Sequence, residues 1–519
     1  MVRYPLRAQL NERFGENVAV LRSGICSFYA GLAAIWGPKL VERESGAVNV
    51  VLVEEDSFLL ALHYAIQSGL WGYADGILRL FHVRFEDDRE ILLGIVRDVR
   101  ELVDPGFPSN DAELHFWCTI RLIEADCADA SQDFTAVEKA VSDVLQRTER
   151  KQGTEFLPDV ASCLRHLGYL AVKKFDYEAA ASHFTRMKRA AEQTTDNGLL
   201  ATALHGLGIV AQSKYEIDVA KPLFEQALSL HEANQNVVGA CNQYHHLGML
   251  AKIRGQYDEA ENWFLRALRI RERLNLLSDA ASDRFLLGEV AECRGDLAAS
   301  RSWFREALRN RIDLGMDADS ASAAHRLAMV LEQQGELEEA SQWCRWTLGI
   351  LRHMEKDLLE GHSYHELGII AVKRGELQNA RAEFQRALGI YERLQSVEHI
   401  AGSHLVLGSV ARAENNMELA RREFLEALEG FEALNHPRLL QKPLMALGEL
   451  AVLENEDKIA IERLGKALEI TKTWNLGDEN QVLQLLAPVL QRLGDHQFQV
   501  LWTAARFGNA PLEGLRAIL

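Results

Sequence analysis

Proline is scarce in this chain, with 10 among 519 residues. Proline locks φ and removes a backbone donor, so its rarity leaves long stretches free to be helical. Ala, Leu, Glu, Arg and Gln are abundant instead, and their side chains lose little rotamer freedom in a helix. A nearly all-helical protein is expected. Cysteine is sparse too: seven residues, at 26, 118, 127, 163, 241, 293 and 344, odd in number and never in a CxxC pair. That pattern suggests reduced thiols in a cytoplasmic protein and does not indicate metal ligation. No apolar run approaches the roughly 18 residues of a membrane span, and the opening MVRYPLRAQLNERFG lacks the apolar core of a signal peptide.

Basic charge is short as well. Against 75 Asp and Glu stand 57 Lys and Arg, a net charge of −18. Phosphate binding needs clustered cations to release counterions, so a general nucleic-acid surface is not expected. Catalytic signatures are missing. The text nearest to a phosphate-cradling loop, RLGKAL at 463–468, lacks the earlier glycine and the hydroxyl, and HExxH, GxSxG and metal-spaced Cys/His sets do not occur. No catalytic residue, cofactor or metal is assigned. The carboxylates read as solvated helix faces and caps rather than acid/base machinery.

What the chain has in quantity is a repeat. Leucine recurs at 167, 207, 247, 287, 327, 367, 407 and 447, a spacing of 40, and glycine follows it in every case but one, Ala328. Four residues after each leucine comes alanine, except at Leu331. A third column runs Ala180, Ala220, Ala260, Ser300, Ala340, Ala380, Ala420 and Ala460. A fourth runs Phe184, Phe224, Phe264, Phe304, Cys344, Phe384, Phe424 and Leu464. A period of this length marks stacked supersecondary units.

Each unit divides at a turn. KIRGQYDEA, ECRGDLAAS, EQQGELEEA and VKRGELQNA carry Gly255, Gly295, Gly335 and Gly375, where a left-handed cap ends a first helix. Asp258 and Glu336 to Glu339 suit the start of the next, where the macrodipole favours acids. Ala260, Phe264, Ala267 and Leu268 then follow the i, i+4, i+7, i+8 spacing of one buried stripe. The unit is a helical hairpin. Gly248 and Ala260 are expected where its two helices cross, with Phe264 and Leu268 filling the space beyond. One hairpin cannot bury its stripe alone, so the units stack.

The order Leu247, Gly248, Ala251, Gly255, Tyr257, Ala260, Phe264, Ala267 resembles the tetratricopeptide repeat, with the unit stretched to the period found in this chain. The resemblance implies an all-α solenoid, a right-handed superhelix of hairpins, with about eight units in 151–480. Before them, 1–150 reads as irregular helix with worn hairpins at 58–81 and 113–145 and a connector at 104–111. After them, 481–519 reads as a helical cap. The stretch EEDSFLLALHYAIQSGLWGYADGILRLF (54–81) is similar to the segment that joins the ATPase core to the repeat sensor in STAND-class signalling ATPases.

Equivalent side chains, one per unit, form stripes along a solenoid. One stripe is His205, His245, His325 and His365, with Phe285 in the gap. At about 100° per residue, Asn242, His245, Met249 and Lys252 share a helix face, matched by Ser322, His325, Met329 and Glu332, and by His362, His365, Ile369 and Val372. In the family this face lines the concave, ligand-receiving groove. The stripe reads either as histidines bonding repeat to repeat or as a docking surface for a protein or peptide. A second stripe, Trp263, Trp303 and Trp343, reads either as wedges between second helices or as an apolar interface.

The resemblance thus implies a non-catalytic binding module: a sensor arm in a signalling system acting on a separate effector. The alternatives are a constitutive scaffold, and an enzyme with an unrecognised site in 1–150. A Met1 start without an ATPase implies a detached domain or a stand-alone protein.

Overall fold

The computed structural model describes residues 18–41, 57–85, 89–103, 108, 110–149, 151, 154–352, 354, 357–507 and 509–519. The opening stretch 1–15 and most of the connector at 104–111 lie outside them. Every regular element among the described residues is helical.

The chain forms two compact units, Met1–Val290 and Ala291–Leu519. In the first, helices 57–67, Trp71–Arg84 and Arg89–Leu102 enclose a core around Phe58, Phe81 and Phe116. The pair Asp111–Ala130 and Phe134–Thr148 is a hairpin, followed by hairpins 157–194, 197–233 and 237–273. Helix Leu277–Cys293 completes the unit and runs past its boundary. In the second unit, helix Leu297–Asp313 precedes hairpins 317–351, 357–393, 397–433 and 441–474. Helices Glu479–Ala504 and Leu512–Ile518 come last.

Most of the repeat helices share one length, 17 residues. A short link of constant length joins most of them to the next, as Arg254, Gly255 and Gln256 do between Ile253 and Tyr257. The link has one design. In most of the described links a residue in the left-handed region ends the helix, and the following N–H commonly returns to the carbonyl five residues back, as from Gln256 to Ala251 at 2.9 Å. Gly255, Gly295, Gly335 and Gly375 hold this place at φ between 73° and 83°, so the left-handed caps read from the sequence are there. The same conformation recurs between hairpins, at Thr195, Gln235, Asn275, Gly315, Gln395 and Asn435. Helix ends therefore recur at half the sequence period. Phe175 and Tyr215 occupy the position with φ of 60° and 59°, and each side chain stands 78% exposed. Asp176, Asp196, Asn236, Asp296 and Asn416 then cap the following helices by accepting backbone N–H bonds, each worth about 1 kcal/mol.

The packing inside a hairpin turns on glycine meeting an aromatic ring. A Cβ built on Gly248 would lie 2.7 Å from the Phe264 ring, and Gly168, Gly208, Gly368 and Gly408 face Phe184, Phe224, Phe384 and Phe424 as closely. The room left by the glycine is taken by the ring. One hairpin has alanine in the glycine column, Ala328. Its phenylalanine place holds Cys344, and both are fully buried. Larger on one helix is matched by smaller on the other.

At the C-terminal end a bend at Gly494 (φ 71°) redirects the chain. Phe498 stacks on Trp502 at 5.7 Å, and Phe507 seats against Gly465. Leu483, Leu486, Val489 and Leu490 cover the stripe of the last hairpin, joining Leu464 and Leu468 in one core.

Candidate functional site

In the first unit the half-buried histidine stripe is bonded from repeat to repeat. His205 Nδ1 lies 3.1 Å from Gln243 Oε1, and His245 Nδ1 lies 2.8 Å from Asp283 Oδ1. In both cases the acceptor sits two residues before the stripe position of the next repeat. Met249 Sδ accepts from Gln212 Nε2 at 3.6 Å, and Lys252 Nζ pairs with Glu289 at 2.5 Å. Asn242 Oδ1 accepts from Arg271 Nη2 at 3.0 Å.

Arg271 comes from the second helix of the same hairpin and reads from sequence as an ordinary surface cation. It is 4% exposed, and its Nη1 donates to Asp283 Oδ1 at 2.7 Å. Asp283 has no exposed surface, so a buried ion pair with His245 as its third member underlies the stripe. Beside it, His246 stacks on Phe224 at 4.8 Å and its Nδ1 lies 3.0 Å from Gln212 Oε1. Burial strips water from an imidazolium, which pushes His205 down to about 4 and His246 well below the usual histidine range. These two rings are neutral at physiological pH.

In the second unit His325 is 8% exposed, and His365 packs half-buried against Phe384 at 5.2 Å. Burial pushes both down to about 4, with neighbouring imidazoles adding to the effect. Met329 and Ile369 are half-buried on the same helix face. Glu366, 6% exposed beside His365, is pushed up to about 7 by burial and by the Glu332 carboxylate, with Lys373 opposing.

His362 Nε2 lies 3.1 Å from His399 Nε2, and His399 Nδ1 lies 2.7 Å from Ser396 Oγ. Ser396 immediately precedes helix Val397–Ala413, so its bond to His399 three residues on is a local helix-start contact. His362, His365 and His399 line a cavity of about 740 Å³, together with Tyr391, Phe431, Arg438 and Lys442. The sequence reading did not single out His399, Arg438 or Lys442. The available signal was Pro437 and Pro443, two prolines within one hairpin of an array that otherwise has only Pro158 and Pro222.

The tryptophans are half-buried. Trp263 stacks on Tyr244 at 5.6 Å beneath the Arg266 guanidinium, and its indole N–H donates to Glu259 at 3.4 Å. Trp343 donates to Glu339 at 3.2 Å and meets Trp346 edge-on at 5.7 Å. Trp303 has the same partial burial. The three indoles are thus neither fully buried nor free on the surface.

Among the described residues no three His, Cys, Asp or Glu side chains are placed to hold a metal ion, and no helix is long and apolar enough to cross a membrane. What the stripes offer is hydrogen bonds, thioether and aromatic surface, and fixed charge.

Residues 240–313 and 319–393 match the tetratricopeptide repeat family model. No curated protein matches the chain. Among solved structures it is similar to the apo form of the quorum sensor NprR from B. thuringiensis, at 15% identity and a TM-score of 0.51, over 73% of this chain and 99% of that one. It is equally similar to the apo form of RapI, at 14% identity and a TM-score of 0.51, over 73% and 97%. At these identities the likeness concerns the fold. The chain carries tetratricopeptide repeats, and an all-α solenoid of helical hairpins is its architecture.

Proposed function

We propose that this protein is a non-catalytic binding module that holds a protein or peptide segment against the first helices of its hairpins. The observation that carries this reading is the half-buried state of the stripe at every position but His325, which is buried. Asn242, His245, Met249 and Lys252, with His205, Met329, His365 and Ile369, are neither core nor free surface. Bonds to neighbouring helices hold Asn242, His245, Met249 and Lys252 in fixed orientations. A pre-oriented mixed surface loses little side-chain entropy when a partner docks, which is the usual source of affinity in such interfaces.

A sensor arm acting on a separate effector is the finer reading. It draws on the likeness of 54–81 to the linking segment of STAND-class ATPases, and on the quorum sensor NprR having the same fold. In a solenoid, small changes at each repeat interface add along the array, so a ligand on the stripe alters its curvature. Trp263, Trp303 and Trp343 add an aromatic interface along the second helices.

The test is capture by the full chain, repeated with His245→Ala, Met249→Ala and Lys252→Ala combined. Loss of a partner with an unchanged melting temperature supports the reading, and undiminished capture refutes it. Solution scattering with and without that partner separates sensor from scaffold, because a sensor changes its dimensions on binding.

A further inference from the structure

Successive first helices meet through residues a fixed distance apart in sequence, as His246 meets Gln212. There the His246 Nδ1 lies 3.0 Å from Gln212 Oε1, and at the equivalent places two repeats on Arg326 Nη2 pairs with Glu292 at 2.9 Å. One repeat further, the same two places hold Glu366 and Glu332. A hydrogen bond and an ion pair give way to two carboxylates. Both are deeply buried, at 6% and 7% exposure, on helices Asp357–Lys373 and Asp317–Gln333 of the second unit.

The surroundings do not neutralise both. Lys373 is the cation that offsets the charge of Glu366, and its ammonium is already engaged, with Nζ 2.5 Å from Glu332 Oε1. Oε1 of Glu366 is buried without a hydrogen-bond partner among the described residues. Behind it stands Cys344, in the column where most hairpins carry phenylalanine. His246 stacks on Phe224 and Arg326 lies over Phe304, whereas Glu366 has only a buried thiol at the equivalent place. Burial raises that thiol and the Glu366 carboxylate raises it further, so Cys344 stays protonated and supplies no charge. His365 precedes Glu366 in its own helix with its ring against Phe384, and His325 lies on the facing helix. Burial keeps both neutral at pH 7. A carboxylate buried without its own cation is less costly in the protonated form, and a protonated carboxyl can donate where two carboxylates meet.

We infer that this pair is a proton-operated joint: with one proton held between Glu366 and Glu332 the two first helices stay packed, and its release to water leaves like charges that drive them apart. The proton belongs to the pair rather than to one residue. Each hairpin touches only its neighbours, so opening here loosens one interface while the hairpins on either side stay folded. The stripe crosses the same two helices. Met329 lies three residues before Glu332, and His365 directly precedes Glu366, so the joint sets the spacing of two stripe positions.

Hydrogen exchange of the full chain, read as protection factors, tests this against Glu366→Gln, which keeps the shape of the side chain and removes its titration. With 4.5 for the exposed carboxyl and about 7 for the buried one, opening of the parent relative to the variant can rise by up to about 70-fold between pH 5 and pH 8.5. His325, His362 and His365 titrate alike in both chains and cancel. The expected result is a relative rise of at least tenfold in 317–333 and 357–373, with none in 197–233 of the other unit. A smaller rise, or one of equal size in 197–233, overturns the inference. Infrared difference spectra of parent against Glu366→Gln should show a protonated carboxyl at pH 6 that vanishes by pH 8.5, and its absence at pH 6 equally overturns it. Glu332→Gln removes the like charge and frees Lys373, so the carboxyl should then lose its proton at lower pH. An unchanged pH of loss refutes the sharing of the proton.

Discussion

Replacing Gly248 by alanine probes the arrangement on which each hairpin is built. The new Cβ would lie 2.7 Å from Cε1 of Phe264 and 2.9 Å from Cδ1 and Cζ. Ordinary contact begins near 3.4 Å, so the ring must retreat by about 0.7 Å within a core that leaves it no exposed surface. Overpacking of this kind costs about 1–3 kcal/mol. Phe264→Cys alone removes a buried ring and opens a cavity, costing about 3–5 kcal/mol by comparison with Phe→Ala. The hairpin at 317–351 carries that pair of smaller and larger residues already, as Ala328 and Cys344. The double variant Gly248→Ala/Phe264→Cys should therefore cost less than its two parts together, by about 1–3 kcal/mol, a normal coupling for touching side chains. Solenoids do not unfold in one step, so the assay is native-state hydrogen exchange of the amides in 237–273, supported by urea melts. Strict additivity of the two substitutions would refute the account of glycine as the ring's seat.

The pair beneath the stripe gives a second prediction. Arg271→Ala strands the fully buried Asp283 carboxylate with His245 alone and should cost about 3–5 kcal/mol, whereas Arg271→Met/Asp283→Leu should recover most of it. A loss under about 1 kcal/mol in urea titration at pH 7.5 would contradict the burial. Stability should also fall on the acid side. His325 is held near 4 in the folded chain against 6.5 when unfolded. Its contribution is complete above 6.5 and disappears as pH falls toward 4, amounting to at most about 3 kcal/mol. Glu366 acts oppositely. With a folded value of about 7 against 4.5, its contribution is complete below 4.5 and is lost as pH rises through 7. Glu366→Gln should therefore raise the melting temperature at pH 8 and leave the parent's advantage at pH 4.5, and a pH-independent difference would exclude this role.

The helical array was legible in the sequence because its cause is periodic. Leu247, Gly248, Ala251 and Phe264 each belong to a column, and a column fixes which face is buried. The glycine caps were equally plain, since a left-handed residue favours glycine. Phe175 and Tyr215, in the same conformation, carry no such mark, and only the even spacing of helix ends reveals them. The swap of Gly–Phe for Ala–Cys joins columns on two different helices, and its meaning depends on which atoms touch. Arg271 looks like any second-helix cation until Asp283 is seen facing it. The cavity was least legible. It brings together residues from His362 to Asp478, and its one trace in sequence is the pair of prolines whose effect is on helix length.

Equal helices joined by links of one design have a consequence for which lengths the chain tolerates. One residue added inside a second helix, ahead of its phenylalanine, would turn the side chains before it relative to those after it by about 100° and shift them by about 1.5 Å, bringing residues such as Glu383 or Glu423 to the place a buried phenylalanine fills. Half a unit would restore the geometry but exchange first helices for second ones. A whole unit restores both. Insertions and deletions within the array should therefore survive as complete hairpins, and relatives should differ in steps of one full repeat. The shortened helix at 441–453 keeps this count, because the four residues Pro437–Leu440 fill the places its missing first turn would have taken.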